Sequence, residues 1–332
     1  MQSYVCLNQN RFKKGDYEIV PIRFEDRYEI MKWRNDQKYH LRQKKTLIKQ
    51  DQDLYFNTIL KKGFDSKEPL QIIFSYLNKK KCVGYGGLVH IDWRKKNAEI
   101  SFIMDTELEH KFFNFHWSQF LNLIEKVAFN ELDFTRIYTH AYNIRPHLYK
   151  VLLNNSYYEE SKIKSDNFEK SRYSLIHSKI SKKIELIKAN QDHIKVAYNW
   201  LNDSNIRKFS YNNNKIDFES HKSWYINKIN DKKCIYFFLR MKKNICGSIR
   251  FDEINGEYKI SYLIDKKFHR QGLGKIILFL GTITLRKKLK KKVKVYGDVL
   301  KENYASVNIF KSLSFNVKFL NKNNLRFEKL IL

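Results

Sequence analysis

The 332-residue sequence has few cysteines, no long apolar run and a shortage of acids. Its four cysteines, Cys6, Cys82, Cys234 and Cys246, form no C-x-x-C pair and no metal-finger spacing. That excludes a disulfide framework and a structural zinc site as the basis of the fold. The longest nearly uninterrupted apolar stretch, Ile276–Leu285, is far shorter than the roughly 20 residues a bilayer-spanning helix requires. The N-terminal segment MQSYVCLNQNRFKKGDYE lacks the basic start and apolar centre of an export signal, so the cytoplasm is the expected compartment. Histidines such as His110, His116, His140 and His147 show no metal-ligand spacing, and no nucleophile elbow marks a catalytic triad.

Apolar residues make up 42% of the chain, enough for two buried cores, which excludes general disorder. The length fits two domains. With 64 Lys and Arg against 35 Asp and Glu, the net charge is +29. A basic surface attracts polyanions. The joint richness in Lys, Asn, Ile, Tyr and Phe is the signature of a genome poor in G and C, so a nucleic-acid partner does not follow from charge alone. An anionic small substrate or cofactor suits the surplus as well.

The chain repeats itself. Trp33-Arg34-Asn35-Asp36 returns as Trp200-Leu201-Asn202-Asp203, and Gly84 in the run after Cys82 returns as Gly247 after Cys246. Glu99-Ile100-Ser101-Phe102-Ile103-Met104-Asp105 matches Lys259-Ile260-Ser261-Tyr262-Leu263-Ile264-Asp265. Asn143 and Asn303 each open an amphipathic run ending in an aromatic, Tyr157 and Phe315. Four matches in one order indicate two copies of one fold, with domains at 1–178 and 179–332. Each copy reads as strand, two helices, a run of strands, helix, strand, helix, strand: an α+β fold with a mixed, mostly antiparallel twisted sheet flanked by helices. Asp217 is a candidate N-cap for the helix over 219–229.

The sharpest motif is Phe268-His269-Arg270-Gln271-Gly272-Leu273-Gly274-Lys275, between a strand and an apolar helix. Glycines let backbone approach a ligand, and the open amides of a helix start hold phosphate. The third glycine of a dinucleotide fingerprint and the Gly-Lys-Ser/Thr of a P-loop are both missing. Together with Asn303-Tyr304-Ala305-Ser306 and the helix running through Phe310 to Leu313-Ser314-Phe315, this order resembles the GNAT superfamily of acyl-CoA-dependent acyltransferases. The Trp-x-Asn-Asp segment, Glu219 to Trp224 and Gly247 to Phe251 are most similar to acetyltransferases of amino-sugar nucleotides, and also to those of ribosomal-protein N-termini.

The resemblance implies acetyl-CoA as acyl donor, no metal, and direct attack of an amine on the thioester. It implies that Leu263 and Ile264 pair with pantetheine, that His269, Arg270, Gln271, Gly272, Leu273, Gly274 and Lys275 hold the pyrophosphate, and that Asn303, Ser306 and Phe310 line the thioester side. Phe310 stands where many members carry a proton-donating Tyr, which shifts that expectation to Tyr304 or water. Lys259 stands where many carry a glutamate base, which shifts it to Glu257 or Asp252. Asn202, Asp203, Tyr211, Asn212, Trp224 and Arg250 are the expected acceptor contacts. The first copy keeps Glu99, but its loop Thr106 to Asn114 has no glycine and two acids, which repel a pyrophosphate. It is therefore expected to bind CoA poorly and to act as an intrachain pseudo-dimer partner or to help build the acceptor pocket. The favoured acceptor is a nucleotide-linked amino sugar. One rival acetylates a protein N-terminus or an aminoacyl group; a second is a non-catalytic RNA-binding or scaffold protein on a degenerate fold.

Overall fold

A computed structural model describes residues 2–165, 169–207 and 214–331. The chain divides into two compact units, Met1–Ser181 and Lys182–Leu332.

The first unit carries strands β1 (Phe12–Lys14), β2 (Tyr17–Pro21), β3 (Ile72–Asn78), β4 (Lys81–Asp92), β5 (Asn97–Met104), β6 (Arg136–Tyr142), β7 (Tyr158–Lys164) and β8 (Tyr173–Ile180). Its main helices are α1 (Arg27–Asp36), α2 (Lys49–Tyr55), α3 (Lys61–Phe64), α4 (Thr106–Glu125) and α5 (Pro146–Asn154). The second has β9 (Ile184–Lys188), β10 (Cys234–Met241), β11 (Asn244–Ile254), β12 (Glu257–Ile264), β13 (Val293–Leu300), β14 (Asn316–Phe319) and β15 (Asn324–Ile331). Its helices are α6 (Ile194–Leu201), α7 (Ser204–Arg207), α8 (Phe218–Asn230), α9 (Leu273–Leu289) and α10 (Tyr304–Ser312).

The sheets run β1-β2-β3-β4-β5-β6-β8-β7 and β9-β10-β11-β12-β13-β15-β14. Apart from the added β1, the second order is the first repeated strand for strand, and the duplication read from sequence is a duplication of topology. Even a break in register recurs, at Tyr76/Leu77 on β3 and at Leu239/Arg240 on β10. All pairings are antiparallel except β5 with β6 and β12 with β13. The fold class is the α+β arrangement expected.

The repeated Trp-x-Asn-Asp segment has a structural explanation. Trp33 and Trp200 are buried in their cores. Asn35 donates to the Leu47 carbonyl and accepts from its amide, both at 2.9 Å. Asn202 does the same with Ile216, at 3.2 and 2.9 Å. Each Asn thus closes the loop after its helix with two hydrogen bonds that mimic a strand pair. Asp36 accepts from Thr106 Oγ1 at 3.3 Å, and Asp203 pairs with Lys266 at 3.0 Å, each partner two residues beyond the end of its strand, β5 or β12. Asn202 and Asp203, expected to contact an acceptor, are therefore committed to holding the loop. Tyr211 and Asn212 lie outside the described residues.

Asp217 caps α8 by accepting from the Ser220 amide at 2.8 Å, as its position predicts. The edge strand β14, the four-residue segment Asn316–Phe319 that the sequence reading did not mark as a strand, is exposed along its length. No helix among the described residues is long and apolar enough to cross a membrane.

Candidate acyl-donor and acceptor site

In the second unit, β12 and β13 pair only at Tyr258↔Val295 and Lys259↔Tyr296. Beyond Lys259 the two strands separate. β12 continues to Ile264 on the arm of β11, and β13 continues to Leu300 on the arm of β15. The sheet therefore opens along the last five residues of β12, whose outer backbone edge is without a strand partner. Such an edge can accept an extended chain. At its end, His269 Nε2 donates to the Ile264 carbonyl at 2.9 Å, so His269 turns towards the strand rather than towards the helix start.

The open edge leads into the start of α9. Arg270 has φ +64° and Gly272 φ +78°, and Gly272 is the N-cap. A capping Gly has no side chain to occupy the first amides of the helix, which precede its internal bonds. Lys275 and Ile276 turn back to the Gly272 carbonyl. This is a cradle of backbone donors at the positive end of a 17-residue helix, and the residues present fit a pyrophosphate. Gly274 serves a different purpose: a Cβ there would meet Ile309 Cδ1 of α10 at 2.7 Å, so it lets α9 and α10 pack. Leu273 is buried core, while Arg270 is exposed and Gln271 and Lys275 are half-exposed at the rim.

Two family models, each described as an acetyltransferase (GNAT) domain, match residues 19–171 and 183–316. The chain is a tandem of two GNAT acetyltransferase domains.

Among solved structures, a Vibrio cholerae spermidine N-acetyltransferase in complex with CoA and spermine is similar at 18% identity, over 45% of this chain and 96% of that one, with a TM-score of 0.41. A ribosomal L7/L12 α-N-protein acetyltransferase in complex with coenzyme A is similar at 16%, over 46% and 96%, with a TM-score of 0.40. A domain from Methanocaldococcus jannaschii DSM 2661 is similar at 21%, over 45% and 98%, also with a TM-score of 0.40. No curated protein sequence gives a significant match.

On the α10 side of this GNAT unit, Asn303 caps the helix by accepting from the Ser306 amide at 3.1 Å. Ser306 Oγ in turn shares a 3.0 Å hydrogen bond with the hydroxyl of Tyr262 on β12. Tyr304 points to solvent at 72% exposure, and Phe310 is 1% exposed, packed against Tyr262, Phe315 and Phe327. Phe310 is therefore core rather than a cofactor contact. A hydroxyl pair, Tyr262–Ser306, joins strand to helix; Ser306 is among the residues expected from the sequence, and Tyr262 is not.

The other face of the sheet carries the charges. Register places Asp252 opposite Lys259, Arg250 opposite Ser261 and Asp298 opposite Arg326, all on the side of α8. Asp252 pairs with Arg250 at 2.7 Å and with Lys228 of α8 at 2.8 Å. Asp298 pairs with Lys259 at 3.1 Å and Arg326 at 2.8 Å. The Arg250 guanidinium lies 4.9 Å from the half-buried Trp224 ring. Burial pushes Asp252 up, but Arg250 and Lys228 outweigh it and hold the carboxyl below its ordinary value. Asp298 is likewise held low by Arg326 and Lys259 against its burial. Neither is tuned to accept a proton near neutrality. Glu257 sits on the closed side of the divergence, paired with Lys294 at 3.1 Å, and does not reach the opening.

The first GNAT unit inverts this pattern. β5 and β6 part after Glu99↔Tyr138, so Glu99 stands where Lys259 stands in the second. Glu99 is buried and pairs with Arg42, with His90 at 4.0 Å. Burial raises its carboxyl to about 7 against the opposing pull of Arg42. Its charge therefore opposes folding as pH rises from about 4.5 to about 7, by up to about 3 kcal/mol. Glu99→Gln should raise the melting temperature at pH 8 and remove the decline across that window in a pH series of thermal melts.

Where the second unit has its loop, the first has helix. Asp105 caps α4 with its side chain, accepting from the Glu107 and Leu108 amides. Glu109 and Arg145 meet at 2.7 Å, both about 95% removed from solvent, with His40 beside them. The helix breaks once, at Phe112, with φ −132° and ψ 28°. Among the described residues no group of three or more His, Cys, Asp or Glu is placed to hold a metal ion.

Proposed function

We propose that the second unit takes acetyl-CoA and moves its acetyl group to an amine on an acceptor that also carries negative charge, a nucleotide-linked amino sugar being the best fit. Acetyl-CoA supplies the activated acyl group. The chain supplies the amides from Arg270 to Gly274 for the pyrophosphate and the open edge of β12 for the extended arm. The first unit, with its helix start filled by Asp105 and by the Glu109–Arg145 pair, is read as a non-binding partner.

The observation that carries the acceptor class is the charge balance on the α8 face. Two carboxylates, Asp252 and Asp298, are shared among four cations, Lys228, Arg250, Lys259 and Arg326. The surplus of positive charge beside the divergence suits phosphate and disfavours a polycationic amine. Trp224 adds a flat apolar wall for a base or sugar ring.

A thermal-shift series with CoA present tests the reading. A UDP-linked amino sugar at saturation should raise the melting temperature of the second unit by several degrees, as a ligand of the native state does. Spermidine at the same concentration should leave it unchanged, and equal or greater stabilisation by spermidine overturns the acceptor class.

A further inference from the structure

Transfer from a thioester leaves a thiolate that needs a proton, and the helix position from which many relatives are expected to supply it is Phe310, which has none to give. We propose that Tyr262, on the open arm of β12, is the proton donor to the departing CoA thiolate, with Ser306 of α10 as the residue that positions it. This rests on the second unit being the acetyl-CoA site.

Three observations meet at this hydroxyl. Tyr262 belongs to the five residues of β12 beyond the last pair with β13, the arm that ends at the phosphate cradle. Its hydroxyl is fixed at 3.0 Å from Ser306 Oγ, on the first turn of α10, so the pair links the strand to the helix. The two copies also supply an internal control. The first unit, whose helix start is filled, has Phe102 and Pro146 at the corresponding positions, and Phe102 stacks on Phe120 with ring centroids 4.0 Å apart. The aromatic ring is kept in both copies as packing, while both hydroxyls are confined to the copy with the open cradle. Packing alone does not call for them.

Burial raises the Tyr262 phenol to about 12, with Ser306 pulling it slightly back, so it keeps its proton at neutral pH. The step balances as follows. The amine nitrogen bonds to the acyl carbon, and the carbon–sulfur bond breaks with its electron pair leaving on sulfur. Tyr262 passes its proton to that sulfur, and the phenolate is reprotonated by the proton the nitrogen sheds, through water.

The test needs no acceptor. Free CoA is bound to wild type and to Tyr262→Phe, its affinity is measured by calorimetry, and the ionisation of its thiol in each complex is followed by thiolate ultraviolet absorbance. A donor at the sulfur stabilises the thiolate. With affinities within threefold, the bound thiol should therefore ionise at least about one pH unit higher in Tyr262→Phe than in wild type. Identical ionisation in the two complexes overturns the proposal. Ser306→Ala, which removes only the positioning bond, should give a smaller shift in the same direction, and serves alone should Tyr262→Phe fail to fold. Failure of well-folded wild type to bind CoA overturns the reading of the site, and this proposal with it; that outcome is seen in the calorimetry before any titration.

Discussion

Gly272→Glu is expected to weaken acetyl-CoA binding by more than 100-fold in isothermal calorimetry. Two effects add at this position. Any side chain at φ +78° costs about 1–2 kcal/mol of backbone strain, and a carboxylate in place of the empty cap fills and neutralises the first amides of α9. A loss of about 3 kcal/mol in binding corresponds to a little over two decades of affinity. Gly272→Asn separates the two contributions, since Asn tolerates the left-handed region and carries no charge; it should retain binding within about tenfold. Undiminished binding by Gly272→Glu would place the donor elsewhere. Gly274 is a poor choice for the same experiment, because its missing Cβ makes room for Ile309, and any substitution there also crowds that side chain.

Arg145→Met should lower the melting transition of the first unit by on the order of 10 °C. It leaves Glu109 at 7% exposure without its guanidinium partner, with only the Tyr39 hydroxyl and the His40 ring beside the carboxylate, and breaking such a pair from one side costs about 3–5 kcal/mol. The sign of the pH effect follows from Glu109, whose carboxyl burial already raises above the ordinary value. Without Arg145 it rises further, so the folded state binds a proton the unfolded state has released, and the deficit grows as pH increases. Differential scanning calorimetry should show a larger loss at pH 8 than at pH 5, and the added change Glu109→Gln should recover most of it. A pH-independent loss would mean that Arg145 acts through packing alone.

The duplication, the order of the elements and the glycine-capped start of α9 were all legible in the sequence, because each rests on local spacing: a repeat offset, an apolar period, two glycines at a helix start. The acceptor residues were less so. Asn202 and Asp203 were recognisable as a repeated segment, but a repeat shows only that a position matters, and the partners, Ile216 and Lys266, come from other elements. Glu257 was selected by proximity along the chain, whereas the divergence of β12 from β13, two residues further on, decides which side chain stands at the opening. Phe310 was assigned to the cofactor by motif alignment and is held in the core by three other aromatic rings. The one signal passed over was already in the alignment of the two copies, where Phe102 faces Tyr262. A single hydroxyl between otherwise matching strands is invisible to hydrophobic patterning, which counts both residues as apolar.

The break at Phe112 has a further consequence. From the Asp105 cap to Phe112 is the same number of residues as from Asp265 to Gly272, and both segments end where the long helix begins its regular course. Across this segment the copies therefore differ in residue identity and not in chain length. Nothing need be inserted or deleted within it to interconvert them. Over this stretch seven residues at unchanged spacing separate a helix start capped by an acid from one capped by glycine, whereas elsewhere the copies differ in length, β1 being present in the first alone.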